Sequence, residues 1–280
     1  MSETRATAFE PTMVPFAGKE DFSRPWDSVD LIALPSEPTD RYLAGFAHST
    51  RCVEAALRLR YEVFNLELDE GLSHSVATGL DRDAFDDRMT HLVLLDLGSH
   101  GVVGTYRMQA AGPAHADGGI YSAQEYDLSE MRDYLPESLE LGRACLAADH
   151  RTFRAIVAIW LGIGAYMNAY ALRYVFGCCS LTTQNPDDGW RALKSIRAAG
   201  DLHKELYLAA LPTHSCGDAA RERALDAEQA YRLPKLFRTY IRLGAKVISE
   251  PAIDRDFGTV DFLVMMDGKK VKLSQLDVLE

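Results

Sequence analysis

The chain has 280 residues, 47% hydrophobic and 25% charged, with a formal net charge of −11, a balance that suits one large globular domain or two small ones. So acidic a chain lacks the basic footprint of a general nucleic-acid binder. Five cysteines, an odd number without CxxC spacing, argue against a disulfide framework and a structural zinc site and fit a reducing, cytoplasmic setting.

Residues 1–40 hold five prolines and eight acidic residues, the composition of an arm with little regular structure. No basic region followed by an apolar run opens it, so no secretory signal is expected. One folded domain is expected over 41–280. It starts at STRCVEAALRLRYEVF, where Ser49 or Thr50 caps a helix and Val53, Ala56, Leu57, Tyr61 and Phe64 keep helical spacing. A polar loop runs to about Arg88. The strands HLVLLDL and VVGTYRMQA then flank the hairpin-like connection GSHG. A further strand covers Leu139 to Ala147 and leads into a helix from about Thr152 to Arg173. Ala155 to Leu172 is free of charge. Those eighteen residues are at the lower limit of a membrane span. Gly162, Gly164, Asn168 and the strand-like runs on both sides instead suggest the buried crossover helix of a βαβ unit.

YVFGCCSL reads as a strand in which Cys178 and Cys179 are small buried side chains. DDGWRALKSIRAAG is a short helix, and AARERALDAEQAYRLPKLFRTYIRLG is helical in pattern but broken before Pro234. KVISE and VDFLVMMD close the chain as strands. The whole is a mixed α/β sandwich around one central sheet. From Arg191 to Lys246 eleven Lys or Arg stand against six Asp or Glu. That stretch is either a solvated helix face or a docking site for an acidic partner.

Three charged side chains sit where folding alone would not put them. Arg107 ends an alternating strand, and Glu140 and Arg143 interrupt a strand of Leu, Gly, Ala and Cys. Ionised groups in such places cost several kcal/mol unless paired. Partners are at hand in one another and in LDRDAFDD, with Asp81, Asp83, Asp86 and Asp87. Two readings follow: an ion-pair cluster that pins a loop to the sheet, or a polar pocket that binds a zwitterion and holds a general base.

In this order LRLRYEVF, DRDAFDD, VVGTYRM and ELGRACLAADHR resemble the core of the acyl-homoserine-lactone synthases, acyltransferases of GNAT-like fold that take acyl chains from acyl carrier protein. The same core is similar to that of the N-acyl amino acid synthases and the ornithine–acyl carrier protein N-acyltransferases of ornithine-lipid synthesis. The ending LPKLFRTYIRLGAKVISEPAIDRDFGTVDFLVMMD resembles the last of these, the hemolysin-like group. NLELDEG lacks the tryptophan that the signal synthases carry after the first helix. The resemblance covers about Arg51 to Asp267. It implies a GNAT-like fold, a mixed central sheet flanked by helices. It also implies transfer of a (3-hydroxy) fatty acyl chain from acyl carrier protein to the α-amine of an amino acid, ornithine first. The product would be a lyso-ornithine lipid, and the enzyme would touch the inner membrane face peripherally. The alternative is a synthase of N-acyl amino acid or acyl-homoserine-lactone signals. More distant rivals are a coenzyme A-dependent acetyltransferase and a carrier-binding module with a dead site.

Carried onto this chain, the resemblance implies that Arg60, Asp83, Asp86, Arg107, Glu140 and Arg143 line the amine-substrate pocket. Glu140 is the expected general base. Arg107 or Arg143 would clamp the amino acid's carboxylate, and Asp83 or Asp86 the distal ammonium of a diamine. Backbone N–H groups of Leu146 or Ala147 would receive the tetrahedral oxyanion. No tightly bound cofactor is expected, since the acyl-phosphopantetheine thioester is a co-substrate. The turn DHRTFRA offers no glycine to a coenzyme A pyrophosphate. It offers Arg151 and Arg154, beside Ala147, to a single phosphate, and Arg232, Lys235, Arg238 and Arg242 could serve the same carrier. The eight histidines show no metal-ligand spacing, so no metal is expected. Tyr166 and Tyr170, one turn apart, suit a general acid or core packing; Trp160 and Met167 suit helix packing or an acyl groove.

Overall fold

The computed structural model describes residues 12–13, 29–33, 41–47, 49–116, 119–225 and 231–271. Ten strands form one mixed sheet: β1 (Thr12–Met13), β2 (Val29–Ala33), β3 (Tyr42–Ala47), β4 (Thr90–Asp96), β5 (Gly101–Ala110), β6 (Ser138–Leu146), β7 (Tyr174–Leu181), β8 (Lys246–Val247), β9 (Ala252–Asp254) and β10 (Thr259–Asp267). They lie in the order β1-β2-β3-β4-β5-β6-β7-β10-β8, with β9 on β10. Every pairing is antiparallel except β6 with β7. That one parallel step needs a crossover, supplied by helix α3 (Phe153–Ala169). The other helices are α1 (Thr50–Tyr61), α2 (Ala111–Ala116), α4 (Pro186–Ala198), α5 (Ala220–Ala224) and α6 (Lys235–Arg242). This is the expected mixed sheet with flanking helices.

The local chemistry accounts for these elements. Ser49 caps α1, its side chain accepting from the Cys52 N–H, and Thr152 caps α3 through the Ala155 N–H. Because α3 packs on the centre of the sheet, one face of its charge-free stretch is buried in the main core with Trp160, Ile163 and Tyr166. No described helix is long and apolar enough to cross a membrane. A second cluster around Tyr126, Phe176 and Leu263 covers the opposite face. It is built largely by the turns between Ala111 and Glu137, which periodicity had left unread. The first forty residues, expected as an arm, contribute β1 and β2 at the sheet edge; the rest of that arm lies outside the described residues. So does 226–230, in the stretch expected to be helical before Pro234, where α6 then begins.

Among the described residues the sheet opens between β6 and β7. β6 and β7 pair only from Ser138–Tyr174 to Glu140–Phe176, and beyond that rung they diverge. Gly177 stands at the branch, where a Cβ would collide with the Leu141 carbonyl oxygen. At the same level Arg143 and Ala144 of β6 oppose the single residue Tyr106 of β5, since the register steps from Arg107–Gly142 to Thr105–Cys145. Arg143 has φ +51°, a bulge position that usually takes glycine. Holding a non-glycine residue there costs on the order of 1–3 kcal/mol and marks functional sites.

Candidate active site

The fork between β6 and β7 opens into a cavity of about 300 Å³, the lower end of ligand-pocket sizes. It joins the two faces of the sheet and is different at each. On the α3 side the wall is apolar: Tyr106, Trp160, Phe237, Tyr240, Val264 and Met266. The hydroxyls of Tyr106 and Tyr240 hydrogen-bond to each other, and burial keeps both well above the usual phenol range. On the other side the wall carries Glu70, Asp254 and Asp261, with Tyr121, Arg143 and Cys178. Side chains alternate along a strand, so Asp261 points away from the face that Val260 and Phe262 fill.

Six of the charges noted in the sequence form a closed network behind this wall. Arg60, wholly buried, donates from Nε to Asp81 Oδ2 and from Nη1 to Asp86 Oδ1, both at 2.7 Å. Arg107 Nη1 donates to Asp83 Oδ1 at 2.6 Å and to Asp86 Oδ1 at 3.1 Å. Arg143 Nη2 donates to Asp83 Oδ2 at 3.1 Å, and its Nε lies 3.2 Å from Asp81 Oδ2. Burial alone would raise the Asp86 carboxyl; Arg60 and Arg107 outweigh it and hold that carboxyl well below the usual range. Three guanidinium groups balance three carboxylates, which leaves Asp83 and Asp86 committed to arginines rather than to a substrate ammonium. Arg60 and Arg107 do not line the cavity. Arg143 does, between the rings of Tyr121 and Phe257, 5.1 and 4.3 Å away.

Glu140 is placed differently from a general base. Its carboxylate accepts from Gln109 Nε2 at 2.7 Å, from the Tyr121 N–H at 2.9 Å, and from the Ser122 N–H and Oγ at 2.7 Å each. A carboxylate has about four lone-pair sites. All are taken, and Glu140 is absent from the cavity wall. It fastens the Tyr121–Ser122 turn and so positions Tyr121 against Arg143. Leu146 pairs with Gly104, and the Ala147 N–H is bound to Val103 O at 2.9 Å. Neither residue lines the cavity; Arg143 and Ala144 at the bulge do. Arg151 chelates Glu67 at 2.5 and 2.6 Å, and its Nε donates to Leu146 O at 3.1 Å. Arg154 is exposed in the first turn of α3. Tyr166 packs edge-on against Phe46 and Met167 lies in the core, whereas Trp160 reaches the cavity.

The carboxylates on the acidic side were missed. Burial, then Asp254, pushes Asp261 up to about 7. Burial, then Asp261 and Asp254, lifts Glu125 well above the usual range, and burial raises Glu70. Only Asp261 left a signal in the sequence, as a lone charge inside the apolar TVDFLVMM.

Comparison with known proteins matches residues 59–161 to the acetyltransferase (GNAT) domain. L-ornithine N(alpha)-acyltransferase from Agrobacterium fabrum is 32% identical over 79% of this chain and 78% of its own length. The Rhizobium meliloti protein of the same name is 30% identical over 80% and 79%. Among solved structures, an N-acyl amino acid synthase from uncultured soil microbes superposes with a TM-score of 0.47 at 13% identity, over 85% of this chain and 96% of its own.

Proposed function

The chain belongs to the L-ornithine N(alpha)-acyltransferase family, and we propose that it transfers a fatty acyl chain from an acyl carrier protein thioester to the α-amine of L-ornithine. The observation that carries this reading is the two-faced cavity through the β6–β7 fork. One face is apolar and suits an acyl chain, and the other presents carboxylates and a single arginine to an amino acid.

The thioester enters from the α3 side and its carbonyl comes to rest at the Arg143–Ala144 bulge, whose backbone N–H groups stabilise the oxyanion. The amino acid enters from the acidic side, and Arg143 faces its carboxylate. Glu70, raised by burial and open to the cavity, accepts the proton of the α-ammonium, directly or through a water. The free amine attacks the carbonyl carbon, the nitrogen of the adduct releases its second proton to solvent, and the tetrahedral adduct expels the phosphopantetheine thiolate. Tyr240, supported by Tyr106, protonates that thiolate and regains a proton from solvent. The amide and a free thiol are the products, and no acyl-enzyme forms. The product is amphipathic, so the enzyme works at the inner membrane face and releases the lipid there.

The test is incubation of the protein with an amino-acid mixture and 3-hydroxyacyl carrier protein, followed by mass spectrometry of the lipid extract. N-acyl-ornithine as the dominant new species is expected; acylation of a different amine, or transfer only from acyl-coenzyme A, would overturn the reading.

A further inference from the structure

At the acidic end of the cavity, four carboxylates lack the pairing that every member of the arginine network has. Among the described residues, none of Glu70, Glu125, Asp254 and Asp261 is in an ion pair. Two of them also carry an orphaned atom. Glu125 Oε2 and Asp261 Oδ1 are shut away from solvent, on residues 2% and 4% exposed, and neither has a hydrogen-bond partner. A buried acceptor left without a donor is destabilising, and a bound donor would remove that cost.

The geometry fits a small cation with several N–H groups. Single ligand atoms of Glu125, Cys178 and Asp261 lie within 4.8 Å of one another. Some point is therefore no more than about 2.8 Å (4.8/√3) from all three, within reach of charge-assisted N–H···O bonds. An ammonium offers three donors to such a set of acceptors. Asp261 and Cys178 open onto the cavity. Glu125 stands behind Cys178, whose Sγ is 3.8 Å from Glu125 Oε1.

We propose that Glu125 and Asp261, with Cys178 between them, form the receptor for the distal ammonium of the diamino-acid acceptor and thereby select a diamine over a neutral amino acid. This rests on the acyltransferase reading above. It moves the diamine-specific contact from Asp83 and Asp86, which the arginines occupy, to β10 and the turn before Tyr126. With no ligand bound, burial and mutual repulsion favour the protonated form of both carboxyls. An incoming ammonium takes the place of such a proton.

The experiment compares L-ornithine with L-norvaline, which has the same carbon skeleton without the terminal amine. Glu125→Gln and Asp261→Asn are used singly, each first shown to retain the cooperative melt of the wild type. In the wild type, ornithine should exceed norvaline in kcat/KM by at least 100-fold. Each variant should raise the ornithine KM at least 30-fold, change kcat less than threefold, and narrow the ornithine-to-norvaline ratio of kcat/KM at least tenfold. Calorimetric binding of ornithine without donor should weaken by the same factor. Equal loss with both acceptors would overturn the proposal in favour of a general role in the site. An unchanged ornithine KM would overturn it outright. Activity abolished by a chelator and restored by Zn²⁺ or Mn²⁺ would overturn it in favour of a metal site. Failure of the wild type to acylate any α-amine would instead count against the acyltransferase reading.

Discussion

Glu140 and Glu70 differ in what surrounds each carboxylate. Four donors hold Glu140 on one side of β6, whereas Glu70 lies on the cavity wall with burial raising its pKa. Glu70→Gln should lower kcat at neutral pH by 10²–10⁴, the usual contribution of a general base, and should remove the acidic limb of the pH–rate profile. Glu140→Gln should keep that limb, because the residue acts by placing Tyr121; its cost should appear as lower stability and a modest loss of kcat. An intact acidic limb in Glu70→Gln would withdraw the assignment. Asp86 works in the opposite direction. Its carboxyl is depressed in the fold, so its contribution is complete above the ordinary carboxylate range and is lost as the pH falls towards its depressed value. Asp86→Asn should therefore lower the denaturant midpoint by the equivalent of about 3–5 kcal/mol, the penalty for breaking a buried pair. The deficit should shrink in acid, and a deficit independent of pH would exclude the electrostatic cause. The pairing of Arg107 and Arg143 with the aspartate run was legible in the sequence because apolar strands cannot hold lone charges, whereas Arg60 entered through the family resemblance. The role of Glu140 was not, because its four donors come from the fold: Gln109 lies on the neighbouring strand and the Tyr121–Ser122 turn has no periodic pattern.

At the scale of elements, the candidate site depends on the interruption of the sheet. The strand sequences announced themselves by alternation and by β-branched content, and the crossover helix by its uniform apolarity. Nothing in periodicity shows that β6 and β7 part after three rungs. The cause is local. Gly177 lets β7 pass the Leu141 carbonyl, and the Arg143 bulge turns β6 away. Gly177→Ala puts a methyl group into that carbonyl oxygen. The fork must then shift, at a cost like that of overpacking, about 1–3 kcal/mol, and the cavity should close. The expected result is a folded protein with lower melting temperature whose KM for the acyl donor rises at least tenfold. Unaltered donor kinetics would show that the fork is not the donor's route.

For the molecule as a whole, charge is divided in a way that suits two very different substrates. The chain is acidic overall, yet α6 exposes Lys235 and Arg242 and half-buries Arg238, while Phe237 and Tyr240 of the same helix reach the cavity. An acidic carrier protein docked on that outer face would stand directly above the apolar half of the cavity, where its acyl chain must enter. Exposed Arg154 lies at the start of α3, whose Trp160 lines the same half. Attraction across exposed surfaces is screened within about 8–10 Å at physiological salt and acts mainly on encounter rates. Arg238→Glu with Arg242→Glu should thus raise the KM for acyl carrier protein at least tenfold and leave the KM for ornithine within twofold. Raising salt from 50 to 200 mM should weaken wild-type carrier binding and narrow the gap to the double variant. Carrier kinetics that ignore both the charge reversal and the salt would place the docking face elsewhere, and the α6 side of the fork would lose its role as the donor's entrance.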